Sequence, residues 1–174
     1  MKLLAFAASN STKSINKALA TYAACLSDEK VEVLDLNDYE MPIYSSDREN
    51  ESGIPQLAKD FFDKIGQADA IIISFAEHNG SYSAAFKNVF DWVSRFERNL
   101  YQNKPMLLLA SSPGPGGAKN VLDSAVTSAP YFAGEVKGSL SVPNFFDVFD
   151  MDTGKMTDQA LNKSLVNLVD KLIR

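Results

Sequence analysis

The chain has 174 residues, of which 45% are apolar, 22% charged and 10% aromatic. This composition is typical of a globular protein and excludes a disordered, collagen-like or coiled-coil chain. The length favours a single domain spanning residues 1–174. The net charge of -5 argues against a nucleic-acid partner, which needs a basic surface. One cysteine, Cys25, and one histidine, His78, exclude an internal disulfide framework and a Cys/His zinc site.

An apolar run near the start of the chain, Leu3 to Ala8 after Lys2, resembles the beginning of a secretory signal. It is shorter than the ~7–15 apolar residues that such a signal requires, and a polar stretch follows it at once. No later apolar run approaches the ~20 residues of a membrane-spanning helix. We therefore expect a cytoplasmic protein with no membrane partner.

Apolar runs that lack polar alternation are typical of strands buried on both faces of a parallel sheet. In chain order, the predicted strands are Leu3 to Ala7, Val31 to Asp35, Ala70 to Phe75, Met106 to Ala110 and, near an edge, Val136 to Val142. Helical periodicity lies between them. The predicted helices include Ser14 to Leu26, Ile54 to Ile65, Ser83 to Phe96 and Leu161 to Leu172. We predict long loops at Asn37 to Gly53 and Pro143 to Gly154, which are rich in Pro, Gly, Asn or Asp.

Alternation of strands and helices predicts right-handed crossovers and one parallel sheet with helices on both faces. The expected fold is thus a three-layer, doubly wound α/β domain. In such folds ligands bind outside the carboxyl ends of the strands. The loops that follow the strands are therefore the places to search for a site.

The first such loop, Ala8 to Asn16, is rich in hydroxyl and amide side chains and leads into a helix. Its candidate ligands are Ser9, Ser11, Lys13, Ser14 and Asn16. Backbone N–H groups and the dipole at a helix N-terminus favour a phosphate, and hydroxyls add donors. The loop lacks glycine, which excludes a dinucleotide fingerprint and a P-loop and favours a mononucleotide phosphate. The alternative is an ordinary helix cap with a polar turn.

Two further loops follow central strands. The second contains Ala76, Glu77, His78, Asn79 and Gly80, where Asn79 and Gly80 are also typical of a simple turn. The third, Ser111 to Gly117, alternates Pro and Gly around Ser112 and Gly114 and exposes backbone donors and acceptors. No nucleophile accompanies Glu77 or His78, so a hydrolase triad is not indicated. We predict no catalytic side chain and no metal site.

The motifs resemble those of the NAD(P)H-dependent FMN reductases of flavodoxin-like fold, which include quinone, chromate and azo-dye reductases. Three segments match in the family's order: Ala8-Ser9-Asn10-Ser11-Thr12-Lys13-Ser14-Ile15-Asn16, Ala76-Glu77-His78-Asn79-Gly80-Ser81 and Phe86-Lys87-Asn88-Val89-Phe90-Asp91-Trp92-Val93-Ser94-Arg95. The last of these is the most specific. The glycine-rich third loop and a Met41-Pro42-Ile43-Tyr44 segment also correspond.

The resemblance implies a five-stranded parallel sheet in the order 2-1-3-4-5. It also implies that FMN is the cofactor and that NADPH or NADH is the co-substrate. Ser9, Ser14 and Asn16 would hold the FMN phosphate, with Ser11 at the family's arginine position. Residues 76–79 would line the isoalloxazine, and Ser112 and Gly114 would approach it from the third loop. The implied partners are a small-molecule electron acceptor and a second copy of the chain, as a homodimer or a tetramer.

Several positions depart from the family pattern. Ser11 replaces an arginine and removes a charge-assisted phosphate contact, which Lys13 restores only as a point charge. His78 replaces a tyrosine, Ala76 a proline and Ala8 a glycine. We therefore expect weaker flavin binding than in the family. Two alternatives stay open: a flavodoxin-like electron carrier, and a non-enzymatic module that has lost tight flavin binding.

The helix from Ser83 to Phe96 supplies an assembly hypothesis. Phe86, Val89, Phe90 and Val93 form a stripe that faces the sheet, which leaves Trp92 and Phe96 pointing elsewhere. An exposed aromatic pair favours a homodimer contact on this helix. Cys25, on the first helix, is expected to be a small buried hydrophobic residue.

Overall fold

The computed structural model describes all residues, from Met1 to Arg174. The strands are Lys2–Ala8 (β1), Lys30–Leu34 (β2), Ala70–Phe75 (β3), Glu77–His78 (β4), Ser81–Tyr82 (β5), Lys104–Ser111 (β6), Gly134–Val142 (β7), Phe149–Asp150 (β8) and Lys155–Met156 (β9). The α-helices are Ile15–Ala24 (α1), Ser46–Ser52 (α2), Gln56–Gly66 (α3), Ala84–Phe96 (α4), Lys119–Ser128 (α5), Phe145–Val148 (α6) and Gln159–Ile173 (α7). Two 3₁₀ helices span Leu36–Tyr39 and Ala129–Phe132.

The five long strands form one parallel sheet in the order β2-β1-β3-β6-β7. Counted among the long strands alone, this is the predicted order 2-1-3-4-5, and the flavodoxin-like fold is confirmed. Strand β1 lies between β2 and β3, with Phe6 opposite Leu34 of β2 and Ile73 of β3. The chain reverses its direction of winding between β1 and β3, where such sheets open a crevice at their carboxyl edge.

Helices cover both faces of the sheet. Alternate residues of β1 divide between two cores: Leu4 and Phe6 pack with α3, α4 and α5, whereas Leu3 and Ala5 pack with α1 and α7. Because side chains alternate between the faces of a strand, burial on both faces requires an uninterrupted apolar run. This explains the pattern from which the strands were predicted.

The two predicted long loops contain regular structure, which corrects the sequence-based expectation. Helix α2 lies within residues 37–53, and Ser45 caps its N-terminus by accepting a hydrogen bond from the Arg48 N–H group. It has no buried residue and hence no apolar periodicity to reveal it. Within residues 143–154, α6 is followed by β8, which pairs antiparallel with β9.

Two predicted exposures are wrong. Trp92 is 1% exposed, because its indole N–H donates to the Pro42 carbonyl at 2.7 Å and the Tyr44 ring packs edge-on against it. Of the predicted exposed aromatic pair, only Phe96 remains, at 43% exposure. Cys25 is exposed rather than buried, since it is the C-terminal cap of α1.

No helix combines the length and apolar character needed to cross a bilayer.

Candidate functional site

Three loops meet at the carboxyl edge of the sheet: those that follow β1, β3 and β6. Together they form a cleft of about 240 Å³, named here the three-loop cleft. Most of the residues predicted for the site lie in its lining. They are Ser9, Ser11, Lys13, Ser14, Asn16, Ala76, Glu77, His78 and Ser112. The predicted residues Asn79, Gly80 and Gly114 are not part of this lining.

The loop between β1 and α1 is shaped by its own serine hydroxyls. Ser9 Oγ accepts the N–H of Ser11 at 3.2 Å, and Ser11 Oγ accepts the N–H of Lys13 at 3.3 Å. Ser14 caps α1 by accepting the N–H of Lys17 at 3.2 Å. The capping alternative is thus confirmed for Ser14. Each of these hydroxyls acts only as an acceptor in the chain, so its own hydrogen remains available to a ligand.

The start of α1 is electropositive. The backbone N–H groups of Ile15 and Asn16 have no acceptor in the chain, as is usual in the first turn of a helix. Lys13 is exposed and forms no ion pair. Lys17, by contrast, binds Asp35 at 2.5 Å, and this hydrogen bond lowers the pKa of the Asp35 carboxyl. Free amide donors, the helix dipole and one unpaired cation together favour a bound anion.

Asn16 is buried, and its side chain is used within the chain. Its Oδ1 accepts hydrogen bonds from the Ser74 hydroxyl at 2.7 Å and from the Ser111 N–H at 3.0 Å. Its Nδ2 donates to the Ser111 carbonyl at 3.2 Å. The side chain therefore fastens the first turn of α1 to the ends of β3 and β6, and it positions the loops of the cleft.

The loop after β3 is a short hairpin of β4 and β5. Its turn residues, Asn79 and Gly80, have φ angles of 53° and 75°, and two positive φ angles are typical of a type I′ turn. The turn predicted at this position is confirmed. Ala76, Glu77 and the exposed His78 form the part of the hairpin that borders the cleft.

The carboxylate of Glu77 caps a neighbouring helix. It accepts the N–H of Val121 at 2.9 Å and the side-chain amide of Asn120 at 3.4 Å. The N-terminal cap of α5, Ala118, has no side chain able to do this. A carboxylate at a helix N-terminus is stabilised by the helix dipole. Glu77 therefore links the hairpin after β3 to the helix that follows the third loop.

The third loop is held by backbone contacts. Ser112 Oγ donates to the Gly114 carbonyl at 3.1 Å, and the same carbonyl accepts the N–H of Asn144 at 2.9 Å. Gly114 therefore shapes the loop, while Ser112 faces the cleft. The sequence interpretation missed three further lining residues: Ile15, Ser111 and Pro113.

Ser83 is another residue that the sequence interpretation left out of the site. Its buried hydroxyl donates to the Ala8 carbonyl at 2.8 Å and accepts the N–H of Phe86 at 3.2 Å. It thus caps α4 and ties that helix to the end of β1. A serine directly before a helical apolar pattern is a recognisable cap signal, whereas the contact with Ala8 has no sequence signature.

The donors of the cleft fit FMN. Hydroxyls, free amides and Lys13 at one end have the chemistry of a phosphate site. The segments Ala76 to His78 and Ser111 to Pro113 complete the lining, and His78 and Pro113 are exposed there. A flat ring can lie against a lining of this kind.

Comparisons with known proteins identify the family of the chain. The "NADPH-dependent FMN reductase" family model matches residues 1–156. A quinone reductase of Escherichia coli strain K12 is 32% identical over 124 residues, which are 66% of each protein. The chain thus matches just under two thirds of that relative's length.

Solved structures share the fold. The flavoenzyme NAD(P)H:(acceptor) oxidoreductase of Paracoccus denitrificans superposes with a TM-score of 0.76 at 22% identity, covering 99% of this chain and 94% of that one. An FMN-dependent NADH-azoreductase of Bacillus anthracis, solved with FMN, gives a TM-score of 0.62 at 13% identity and full coverage of both chains. FMN and a nicotinamide dinucleotide are the cofactors of the matched family. The family predicted from the motifs is confirmed, and the chain belongs to the NADPH-dependent FMN reductases.

Proposed function

We propose that this protein is an NAD(P)H-dependent FMN oxidoreductase that passes electrons to a small acceptor such as a quinone, free flavin or azo compound. One observation carries the proposal. Free hydroxyls and amides suited to an anion line the same cleft as the loops after β3 and β6, at the crossover point of a flavodoxin-like sheet. In this proposal residues 1–174 act as one FMN-binding domain.

Each loop has a distinct task in this proposal. Ser9, Ser11 and Ser14 donate hydroxyl hydrogens to the phosphate, and Lys13 adds a positive charge. The backbone of residues 76–78 and of residues 111–113 borders the isoalloxazine. When bound, FMN supplies the redox chemistry by accepting a hydride from the nicotinamide and giving up electrons to the acceptor.

The chain itself supplies orientation and electrostatics rather than a catalytic side chain. Glu77, the acidic residue in the cleft, is engaged by the N-terminus of α5. His78 is exposed, and its imidazole makes no hydrogen bond within the chain. Protons taken up when the acceptor is reduced would come from solvent, so the proposal assigns neither residue a role as acid or base.

A quinone is the acceptor that we favour. The E. coli relative is named a quinone reductase, and a 34% identical relative from Burkholderia is named a 2-hydroxy-1,4-benzoquinone reductase. His78 is exposed and Ser112 is half-buried in the lining of the cleft, which leaves room for a small planar molecule beside the flavin ring.

Two measurements on purified protein test the proposal. FMN is titrated first, and NADH or NADPH oxidation is then followed with and without a benzoquinone. We expect FMN binding and dinucleotide oxidation that the quinone accelerates. A protein that stays colourless after FMN addition would instead support the non-enzymatic module. Bound FMN without dinucleotide oxidation would support the electron carrier.

We also propose a homodimer whose contact includes α4. Phe96 is 43% exposed at the end of this helix. A groove of about 350 Å³ runs beside the same helix, with Tyr82, Phe90 and Phe132 in its lining. Light scattering at micromolar concentration should give twice the chain mass, and a monomeric mass would contradict the proposal. Pairing of dimers into tetramers and a cytoplasmic location stay predictions.

A further inference from the structure

A second cavity adjoins the three-loop cleft on the other side of the loop after β1. It has a volume of about 230 Å³ and is named here the Asn10 cavity. Asn10 lines it, whereas the neighbouring residues Ser9 and Ser11 line the three-loop cleft. The loop after β1 therefore borders both cavities.

We propose that the Asn10 cavity binds the adenosine part of the nicotinamide dinucleotide, and that Glu40 at its rim selects NADH over NADPH. This inference rests on the proposed function, because it assigns a place to the substrate that would reduce FMN.

The position of the cavity favours the remote part of a long substrate. An electron acceptor must contact the flavin itself, which would lie in the three-loop cleft. A cavity across the loop from that cleft cannot serve the reacting end of either substrate. The dinucleotide has a second, non-reacting half, whereas the quinone that we favour as acceptor has none. Such remote binding energy can hold a reacting group in place.

The lining suits one aromatic base. Buried Tyr39, Met41 and Val89 supply apolar contact, and polar side chains surround them. The amide of Asn10 is exposed and makes no hydrogen bond within the chain, which leaves it free to bind the edge of a base.

The segment that forms the outer wall is held firmly. Asn88 Oδ1 accepts the N–H of Tyr44 at 2.9 Å, and its Nδ2 donates to the carbonyls of Met41 and Pro42 at 3.0 and 3.2 Å. Trp92 donates to the same Pro42 carbonyl. Residues 41–44 are thus fixed to α4, and the cavity between them exists before any ligand binds.

The charges around the cavity discriminate against the 2′-phosphate that distinguishes NADPH from NADH. Neither lysine nor arginine contributes to the lining, whereas Glu40 does. Glu40 is exposed, and no cation pairs with it; Asp38 lies two residues before it. A carboxylate in such a position can accept hydrogen bonds from the ribose hydroxyls of NADH. It repels the 2′-phosphate of NADPH.

Binding of nucleotide fragments tests this assignment without turnover. AMP, with a free ribose 2′-hydroxyl, and 2′,5′-ADP, with a 2′-phosphate, are titrated calorimetrically into protein saturated with FMN, so that the phosphate loop is occupied. We expect wild type to bind AMP about tenfold more tightly, as one charge-assisted hydrogen bond implies. Glu40→Gln should abolish this preference, and Glu40→Arg should reverse it.

The matched control is Asp63→Arg, which makes the same charge change at an exposed residue of α3 outside the cavity. It should leave the preference unchanged. A preference that is the same in wild type and Glu40→Arg would overturn the inference even if the protein oxidises both dinucleotides. If neither dinucleotide is oxidised but the fragment preference follows residue 40, the proposed function is wrong and the adenosine site stands.

Discussion

The side chain of Asn16 and the backbone of Ser111 form a reciprocal pair of hydrogen bonds. The asparagine Oδ1 accepts the serine N–H at 3.0 Å, and its Nδ2 donates to the serine carbonyl at 3.2 Å. An amide side chain thus pairs with the end of β6 much as a neighbouring strand would. The pair joins the start of α1, where the phosphate is proposed to bind, to the end of β6, from which the third loop of the cleft begins.

Asn16→Ala should destabilise the protein and weaken FMN binding together. The substitution leaves the buried groups of Ser111 and Ser74 without a partner, and each such group costs ~1–3 kcal/mol. We expect the free energy of unfolding in urea to fall by at least ~2 kcal/mol. Asn162→Ala is the control, because Asn162 accepts one hydrogen bond from Tyr22 at 2.8 Å in a half-buried setting. Equal losses for the two variants would contradict the joining role of Asn16.

Ser11→Arg should tighten FMN binding by about tenfold, because a hydrogen bond to a charged group is worth ~1.5–3 kcal/mol against ~1 for a neutral one. Lys13→Ala should weaken binding and flatten its dependence on salt, since screening acts on that charge. Fluorescence titrations at two ionic strengths measure both effects. Lys163→Ala, at an exposed residue of α7, is the control that should change neither. If Ser11→Arg and Lys13→Ala behave like this control, the phosphate does not bind at this loop.

Gly117→Ala should be strongly destabilising, whereas Gly116→Ala should be nearly neutral. A Cβ at Gly117 would overlap the Ser141 hydroxyl, which donates to the Gly117 carbonyl, and would lie 3.1 Å from the backbone nitrogen of Pro143. The φ of +58° also disfavours a side chain. Gly116 has open space and an ordinary φ. We expect thermal unfolding to report a loss of ~1–3 kcal/mol for Gly117→Ala alone.

Acid should destabilise the fold partly through Asp35 and Glu32. Hydrogen bonds from Lys17 to Asp35, and from Lys2 and Lys64 to Glu32, lower the pKa of both carboxyls. A lowered pKa in the folded state means that the unfolded state binds protons first as the pH falls. The stabilisation is therefore complete above the unfolded values of about 4 and is lost below them.

Urea unfolding between pH 7 and pH 3 measures this effect. Asp35→Asn should flatten the acid limb of the stability profile, whereas Asp63→Asn, at an exposed carboxylate without an ion pair, should leave it unchanged. A profile for Asp35→Asn that parallels that of wild type would show that the contact between α1 and the end of β2 contributes no pH-dependent stability.

The strands of the sheet could be predicted from the sequence because they are buried on both faces. Strand β3 was predicted with its observed bounds, Ala70 to Phe75, since an apolar run marks it without ambiguity. Helix α2 could not be predicted in the same way. Its stability depends on the Ser45 cap and on Glu49, which accepts hydrogen bonds from Tyr44 and Arg95. Neither contact produces a periodic pattern of apolar residues in the sequence.

The site was predicted in outline because its loops follow predicted strands, but the tasks of single residues depend on long-range contacts. Asn16 was assigned to the phosphate, yet its partner lies 95 residues away in the chain. Trp92 was expected at the surface, because helical periodicity cannot show that residues 42–44 cover it. Local pattern specifies which residues share a face, whereas tertiary contacts decide what covers that face.

Reduction of bound FMN tests the central claim most directly. The protein is loaded with FMN, freed of excess cofactor and mixed anaerobically with NADH or NADPH while the visible absorbance of the flavin is followed. The proposed function predicts that the absorbance bleaches and that addition of a benzoquinone restores it. Absorbance that persists with both dinucleotides would contradict it.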